Sequence, residues 1–315
     1  MFTFGEVHTG LLQNSTPLTT DRAAEVLSPL CGAQLQRFER PMQRIITADR
    51  PIGVDCRLPA ASGGNPHVVG TVLWHAGITG GHLAQSNVFA AVVPAAERRR
   101  MPWEHYTAFP GRLELLSDAK PEDLTQGYLH GRSRPNDLDT TAIATQAFDR
   151  LQRSQLLDRR PTLRTRRTRL RWTATGTGKT PQPITVTFRM VSEDLRTVDV
   201  KVADEFVPGV LGLCEDLALH DWLLTTVSRL LELTLTTRLG PVEKADQLRP
   251  AVEYFLHLWM PGARVDEVLK PVWQELDRRP GFSRQWDTSV ARVRDQISLG
   301  TIELLKLTHA LRRDA

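Results

Sequence analysis

Residues 211–235, LGLCEDLALHDWLLTTVSRLLELTL, leave the rest of the chain the least freedom. The stretch has no proline and is long enough for about seven helical turns. At helical spacing Leu213, Leu217, His220, Leu224, Val227 and Leu231 share one face, and Leu219, Leu223 and Leu230 cover a second. A helix apolar over so much of its circumference is buried by neighbours on several sides, so the remaining elements must enclose it. Within it sit Glu215, Asp216, His220 and Asp221. A buried helix must have a reason to carry them.

The segments before this helix read as strands. Residues 2–12 alternate and start aromatic and β-branched, and Asn14–Pro17 breaks the run. Thr20 or Asp21 caps a short helix to about residue 30. Extended segments are expected at 34–47, interrupted at Pro41, and at 54–58, closed by Pro59. The clearest β signal is the pair of apolar runs 67–75 and 83–93 around a glycine-bearing turn, Gly77-Ile78-Thr79-Gly80-Gly81. Asp137 or Asp139 caps a helix over 140–157. Three further strands at 162–172, 184–191 and 195–202 suggest an antiparallel meander. Beyond residue 208 the pattern is helical, at 248–260, 265–277 and 283–311, with proline–glycine breaks at 261 and 280 and a possible bend at Gly300. The expectation is an α+β fold: a β-rich region over 1–208 with antiparallel strands, and a helical bundle over 209–315 packed on it.

With 41% hydrophobic and 24% charged residues in 315, the chain has the composition of a soluble globular protein. No window approaches the roughly 18 uninterrupted apolar residues of a membrane span, and the first residues form neither signal peptide nor anchor. Three separated cysteines, Cys31, Cys56 and Cys214, fit a reducing compartment better than a disulfide framework. A cytoplasmic protein without a membrane partner is expected.

The net charge of +4 conceals one basic band. Residues 150–171 hold nine arginines against one acid, Asp158, so the rest of the chain is net acidic. Arg159, Arg160, Arg164, Arg166, Arg167, Arg169 and Arg171 form a candidate footprint for nucleic acid or another polyanion, with Trp172 placed to stack on a base. The alternative is a strand whose arginines pair with carboxylates elsewhere.

Other signals are local. The sequence TATGTGKT at 173–180 lacks the first glycine of a phosphate-binding loop and is followed by Pro181-Gln182-Pro183 instead of a helix, so it reads as a turn. Asp216 and His220, one helical turn apart and joined by His257 from a later helix, are the candidate catalytic group, against a satisfied core pair. Cys56 beside Arg57 is a candidate nucleophile, against a buried strand cysteine. His75 and His82 bracket the glycine turn and can face each other across a hairpin. Phe282, Arg284 and Trp286 are candidate interface residues, against aromatics that fill the core of the helical bundle. Metal and cofactor motifs are missing, so no metal and no cofactor are expected.

The phrases GEVHTGLLQNS, GVDCRLP, RTRRTRLRW, CEDLALHDWLL, LHLWMPGARV and RRPGFSRQW, in that order, resemble an uncharacterised actinobacterial protein family known by a locus-tag name. The resemblance covers nearly the full chain. It implies a cytoplasmic bacterial protein encoded beside a variant P-loop protein and a predicted methyltransferase, and it carries over no catalytic residue. Together these signals favour a non-catalytic component of a multi-protein system that acts through protein–protein contacts, with the P-loop protein as a possible partner. Polyanion binding through the arginine band and an unrecognised enzyme centred on Asp216 and His220 are the alternatives.

Overall fold

In the computed structural model, which describes residues 2–31, 34–131, 134–178 and 184–313, ten strands form one mixed sheet. Strand β1 (Phe2–Leu11) lies inside the sheet because both its faces are apolar. Phe2 and Phe4 join one core; Val7 and Leu11 join the other. Helix α1 (Thr20–Cys31) leads to the short strands β2 (Leu35–Phe38) and β3 (Arg44–Thr47), then to β4 (Arg50–Arg57). The segment read as one strand over 34–47 is thus two, reversing around Pro41. Strands β5 (His67–Thr79) and β6 (Leu83–Pro94) form the expected hairpin. Gly80 and Gly81 take φ of +59° and +67° in its turn, where a side chain is disfavoured.

After helix α2 (Trp103–Thr107), strand β7 (Arg112–Leu115) pairs with both β5 and β6. Helices α3 (Pro121–His130) and α4 (Thr140–Gln152) follow. Asp139 accepts the Ala142 N–H as the expected cap. Strand β8 (Thr168–Gly176) starts later than the 162–172 reading, since the arginines before it cross the surface. Of TATGTGKT, Thr173–Gly176 ends this strand, while Lys179–Pro183 lie outside the described residues.

Strands β9 (Thr185–Met190) and β10 (Leu195–Val202) correct the expected meander. They form an antiparallel hairpin, but β10 pairs parallel with β8 and β9 is left outermost. The reason is apolar content: β10 buries Val198, Val200 and Val202, while β9 exposes Thr185, Thr187 and Arg189. The sheet order is β2-β3-β5-β7-β6-β1-β8-β10-β9, with β4 also on β5.

Helix α5 (Val210–Thr236) lies on one face of this sheet, and α1 and α4 lie on the other. Val7, Leu170, Trp172, Val198 and Val200 share a core with α5 and with the helices that follow. The helical third therefore shares its core with the strands.

Helix α6 (Pro241–Pro250) starts earlier than the 248–260 helix expected, with proline at its first position. Pro250 withdraws a backbone donor, and 251–258 continue in π and 3-10 turns. The 265–277 helix is reduced to α7 (Lys270–Arg278) after a 3-10 turn at Glu267–Leu269. Helix α8 (Phe282–Arg313) runs unbroken through Gly300, where an added Cβ would lie 2.7 Å from the Pro241 carbonyl oxygen. That glycine permits α8 to approach α6 closely instead of bending.

Candidate functional site

The polar residues of α5 each meet a partner from a different element. Glu215, buried against the sheet, accepts a bond from Arg44 Nη2 at 2.6 Å and one from Asn87 Nδ2 at 3.0 Å. It also pairs with His75 Nε2, whose Nδ1 lies 2.8 Å from Asp49. Gln85 Nε2 donates to the Glu215 carbonyl at 3.0 Å. Strands β5 and β6 place His75 directly opposite Asn87, with Gly77 and Gln85 in the next pair, so these side chains share the α5 face. Burial opposes charge on the His75 imidazole, but Glu215 and Asp49 more than offset it and raise its pKa to about 9. Burial likewise opposes ionisation of Glu215, and Arg44 and His75 hold it well below the carboxylate range.

One residue further on, Asp216 faces the other way. Its carboxylate accepts from Gly262 N–H at 2.9 Å and Arg264 Nε at 3.0 Å. His220 donates through Nδ1 to the Asp216 carbonyl at 2.7 Å and accepts the Met260 N–H at Nε2, 3.1 Å away. Burial holds its pKa below the ordinary value. Both side chains tie the 260–264 loop to α5, and both are fully buried. Asp221 pairs with Arg196 of β10 at 3.1 Å. These contacts are why the helix carries charge: each group answers a buried donor from β3, β5, β10 or the loop.

Of the proposed catalytic group, Asp216 and His220 are in contact, with His220 Nδ1 3.4 Å from Asp216 Oδ2. His257 does not join Asp216 and His220; its charge is felt at His82. His75 and His82 do not face each other either. His82 lies in the turn with its ring 4.5 Å from that of Tyr254, and neither of its nitrogens has a hydrogen-bond partner among the described residues. Burial, with the charges of nearby Asp55 and Asp137, pushes the Cys56 thiol up to about 12, opposite to an activated nucleophile. Cys214 is fully buried and shifted the same way. The side chain of Cys31 lies outside the described residues. Among the described residues no three His, Cys, Asp or Glu are placed to hold a metal.

The arginine band divides. Arg166 pairs with Glu193, Arg167 with Asp149 at 2.6 Å, and Arg169 with Asp194 at 3.0 Å. Arg171 reaches the fully buried Glu6 at 3.1 Å. Burial would raise the Glu6 pKa, but His8, Arg171 and the Thr141 hydroxyl lower it to about 2. Arg159, Arg160 and Arg164 remain exposed. Trp172 is fully buried in the α5 core and offers no stacking surface. Four of the seven arginines thus answer carboxylates of the same chain.

The proposed interface residues also divide. Phe282 and Trp286 are buried, and Trp286 stacks on Trp259 at 4.2 Å; only Arg284 is exposed. Their i, i+4 spacing turns both aromatics toward the body.

Two surface features were not anticipated from the sequence. Between β9, the 280–285 segment and α5 lies a hollow of about 410 Å³, walled by Phe188, Met190 and Phe282, with Arg196 and Asp221 at its floor. The second is the end of α8, where Leu299, Ile302, Leu304, Leu305 and Leu307 are each at least 50% exposed. The sequence signal for the latter is the leucine-rich run LGTIELLKL. No family model, curated protein or solved structure matches the chain.

Proposed function

We propose that this protein is a non-catalytic component of a multi-protein assembly, docking through the C-terminal turns of α8. The observation that carries the reading is the state of that helix. Val293, Ile297 and Gly300 turn toward the body, and Leu304 and Leu307 continue the same stripe at alternating three- and four-residue spacing. From Thr301 to Ala310 every residue but Glu303 is exposed. Leu299, Ile302 and Leu305 add exposed apolar surface on the other side, interspersed with Thr301, Glu303, Lys306, Thr308 and His309. Covering the exposed halves of five aliphatic side chains contributes roughly 1 kcal/mol each, before the cost of association.

The occupation of the buried titratable groups of α5 by structural partners supports the same reading over the catalytic one. The first partner to test is the variant P-loop protein implied by the family resemblance. Co-expression of the two, followed by size-exclusion chromatography and native mass spectrometry, is the experiment. A complex lost in Leu304→Glu/Leu307→Glu, a variant that retains the wild-type thermal transition, is the expected result. A complex indifferent to both substitutions refutes α8 docking.

A further inference from the structure

We infer that the hollow beside α5 and a smaller arginine-lined niche next to it form one binding site for a small organic anion. Its carboxylate or phosphate head would sit in the niche and its apolar, ring-sized body in the hollow. The site lies away from the C-terminal turns of α8 and does not depend on them.

The niche, about 30 Å³, forms where the segment before β8 crosses α5. Trp222 Nε1 of α5 donates to the Arg166 carbonyl at 3.0 Å and holds that crossing in place. Arg164 and Arg166 come from the segment, Arg229 from α5, and Glu193 from the turn between β9 and β10. Three arginines thus meet one acid. Arg166 answers Glu193, and Arg164 and Arg229 have neither an ion pair nor a hydrogen bond among the described residues. Glu232 lines the hollow and not the niche. With both spaces counted together, four arginines face three acids, so one positive charge stays unmatched. The hydroxyls of Thr165, Thr168 and Thr226 bond nothing in the described chain and stand among these cations. Guanidinium and hydroxyl donors around one point are what an oxyanion requires. A space of this size admits roughly two water-sized groups, which suits the oxygens of a carboxylate or phosphate and excludes a ring.

Room for the body lies alongside. The hollow shares Glu193, Thr225 and Arg229 with the niche, so the two are contiguous. Thr225 and Arg229, one turn apart on α5, stand between them. The hollow's volume of about 410 Å³ is that of a small-molecule pocket, and Phe188, Met190, Leu224 and Phe282 give it an apolar wall. At its floor Arg196 donates through Nε to Asp221, through Nη1 to the Ser192 carbonyl and through Nη2 to Thr225. That ion pair is complete within the chain, so the hollow itself selects no charge. Selection for an anion comes from Arg164 and Arg229 at the niche, and selection for a body of limited size comes from the hollow.

The test titrates isotope-labelled full-length protein with phenyl phosphate, phenylacetate, inorganic phosphate and benzyl alcohol, following backbone amide and arginine side-chain resonances. Saturable shifts should centre on residues 164–168 and 225–229. One of the two aryl anions should bind at least about tenfold more tightly than inorganic phosphate or benzyl alcohol, and the tighter of the two identifies the head. Arg164 and Arg229 are exposed and unbonded, so Arg164→Gln/Arg229→Gln should keep the wild-type thermal transition and weaken binding roughly tenfold or more. Ser228→Trp fills the hollow and should abolish the preference for the aryl anion over inorganic phosphate. Arg159→Gln/Arg160→Gln removes the same charge outside the site and should leave binding unchanged. Absence of saturable shifts at about 10 mM of either aryl anion overturns the inference, as does equal affinity for inorganic phosphate. So does an equal loss in the Arg159/Arg160 variant, which would assign the attraction to the arginine band as a whole.

Discussion

The pairing of His75 with Glu215 makes a quantitative claim about pH. His75 is 7% exposed, and its pKa is raised from 6.5 to about 9, because Glu215 and Asp49 outweigh the burial that opposes its charge. Since folding raises this pKa, the protonated imidazole contributes its full stabilisation below pH 6.5. That contribution falls as pH rises, and is gone once pH passes the folded value. Applying the linkage relation to these two values gives roughly 2–3 kcal/mol lost between pH 7 and pH 10. The perturbation is His75→Gln, which retains an amide donor toward Glu215 but cannot titrate. Urea unfolding followed by tryptophan fluorescence at pH 7 and pH 10 supplies the assay. Lysines, tyrosines and cysteines titrate in both proteins, so the difference between wild type and variant isolates the histidine. The variant should be less stable at pH 7 by roughly 2–3 kcal/mol and nearly equal to wild type at pH 10. The His75 imidazole resonance in the folded protein should titrate near 9. A variant that loses as much stability as wild type between the two pH values, or a midpoint near 6.5, refutes the reasoning.

Three further outcomes follow from the same geometry. Burial and the charge on His257 depress His82 to about 4, so stability should fall as pH drops from 6.5 toward 4, by up to roughly 3 kcal/mol, and His82→Phe should flatten that decline in acid unfolding curves. Arg171→Met strips a partner from the buried Glu6 and should cost roughly 2–4 kcal/mol in thermal or urea unfolding, whereas Arg166→Glu on the exposed part of the band should change stability by no more than about 0.5 kcal/mol. If Arg166→Glu proves the costlier of the two, the division of the arginine band is wrong. With its thiol at about 12, Cys56 should react with a thiol-specific reagent at pH 7 far more slowly than free cysteine, a difference measurable by absorbance.

Local signals in the chain identified local structure. The all-round apolar stretch at 211–235 became α5, observed as Val210–Thr236, because a helix without a polar face has nowhere to lie but inside. Alternation marked β1 and the β5–β6 hairpin, and Asp139 capped α4 as its position suggested. Strand order was less legible. The hairpin of β9 and β10 is a neighbour effect, but inserting β10 beside β8 depends on which strand has more apolar surface to bury. Phe282 and Trp286 had the composition of an interface, and packing on the body makes them core.

The partners of α5 lie furthest from anything a local pattern reveals. Glu215 is 171 residues from Arg44 and 140 from His75, and Asp216 is 48 from Arg264. The sequence by itself determined that a long buried helix would carry Glu215, Asp216, His220 and Asp221, since periodicity depends only on neighbouring residues. Tertiary structure alone decided which partner each would meet, because a charged group's role depends on what burial brings within about 3 Å of it.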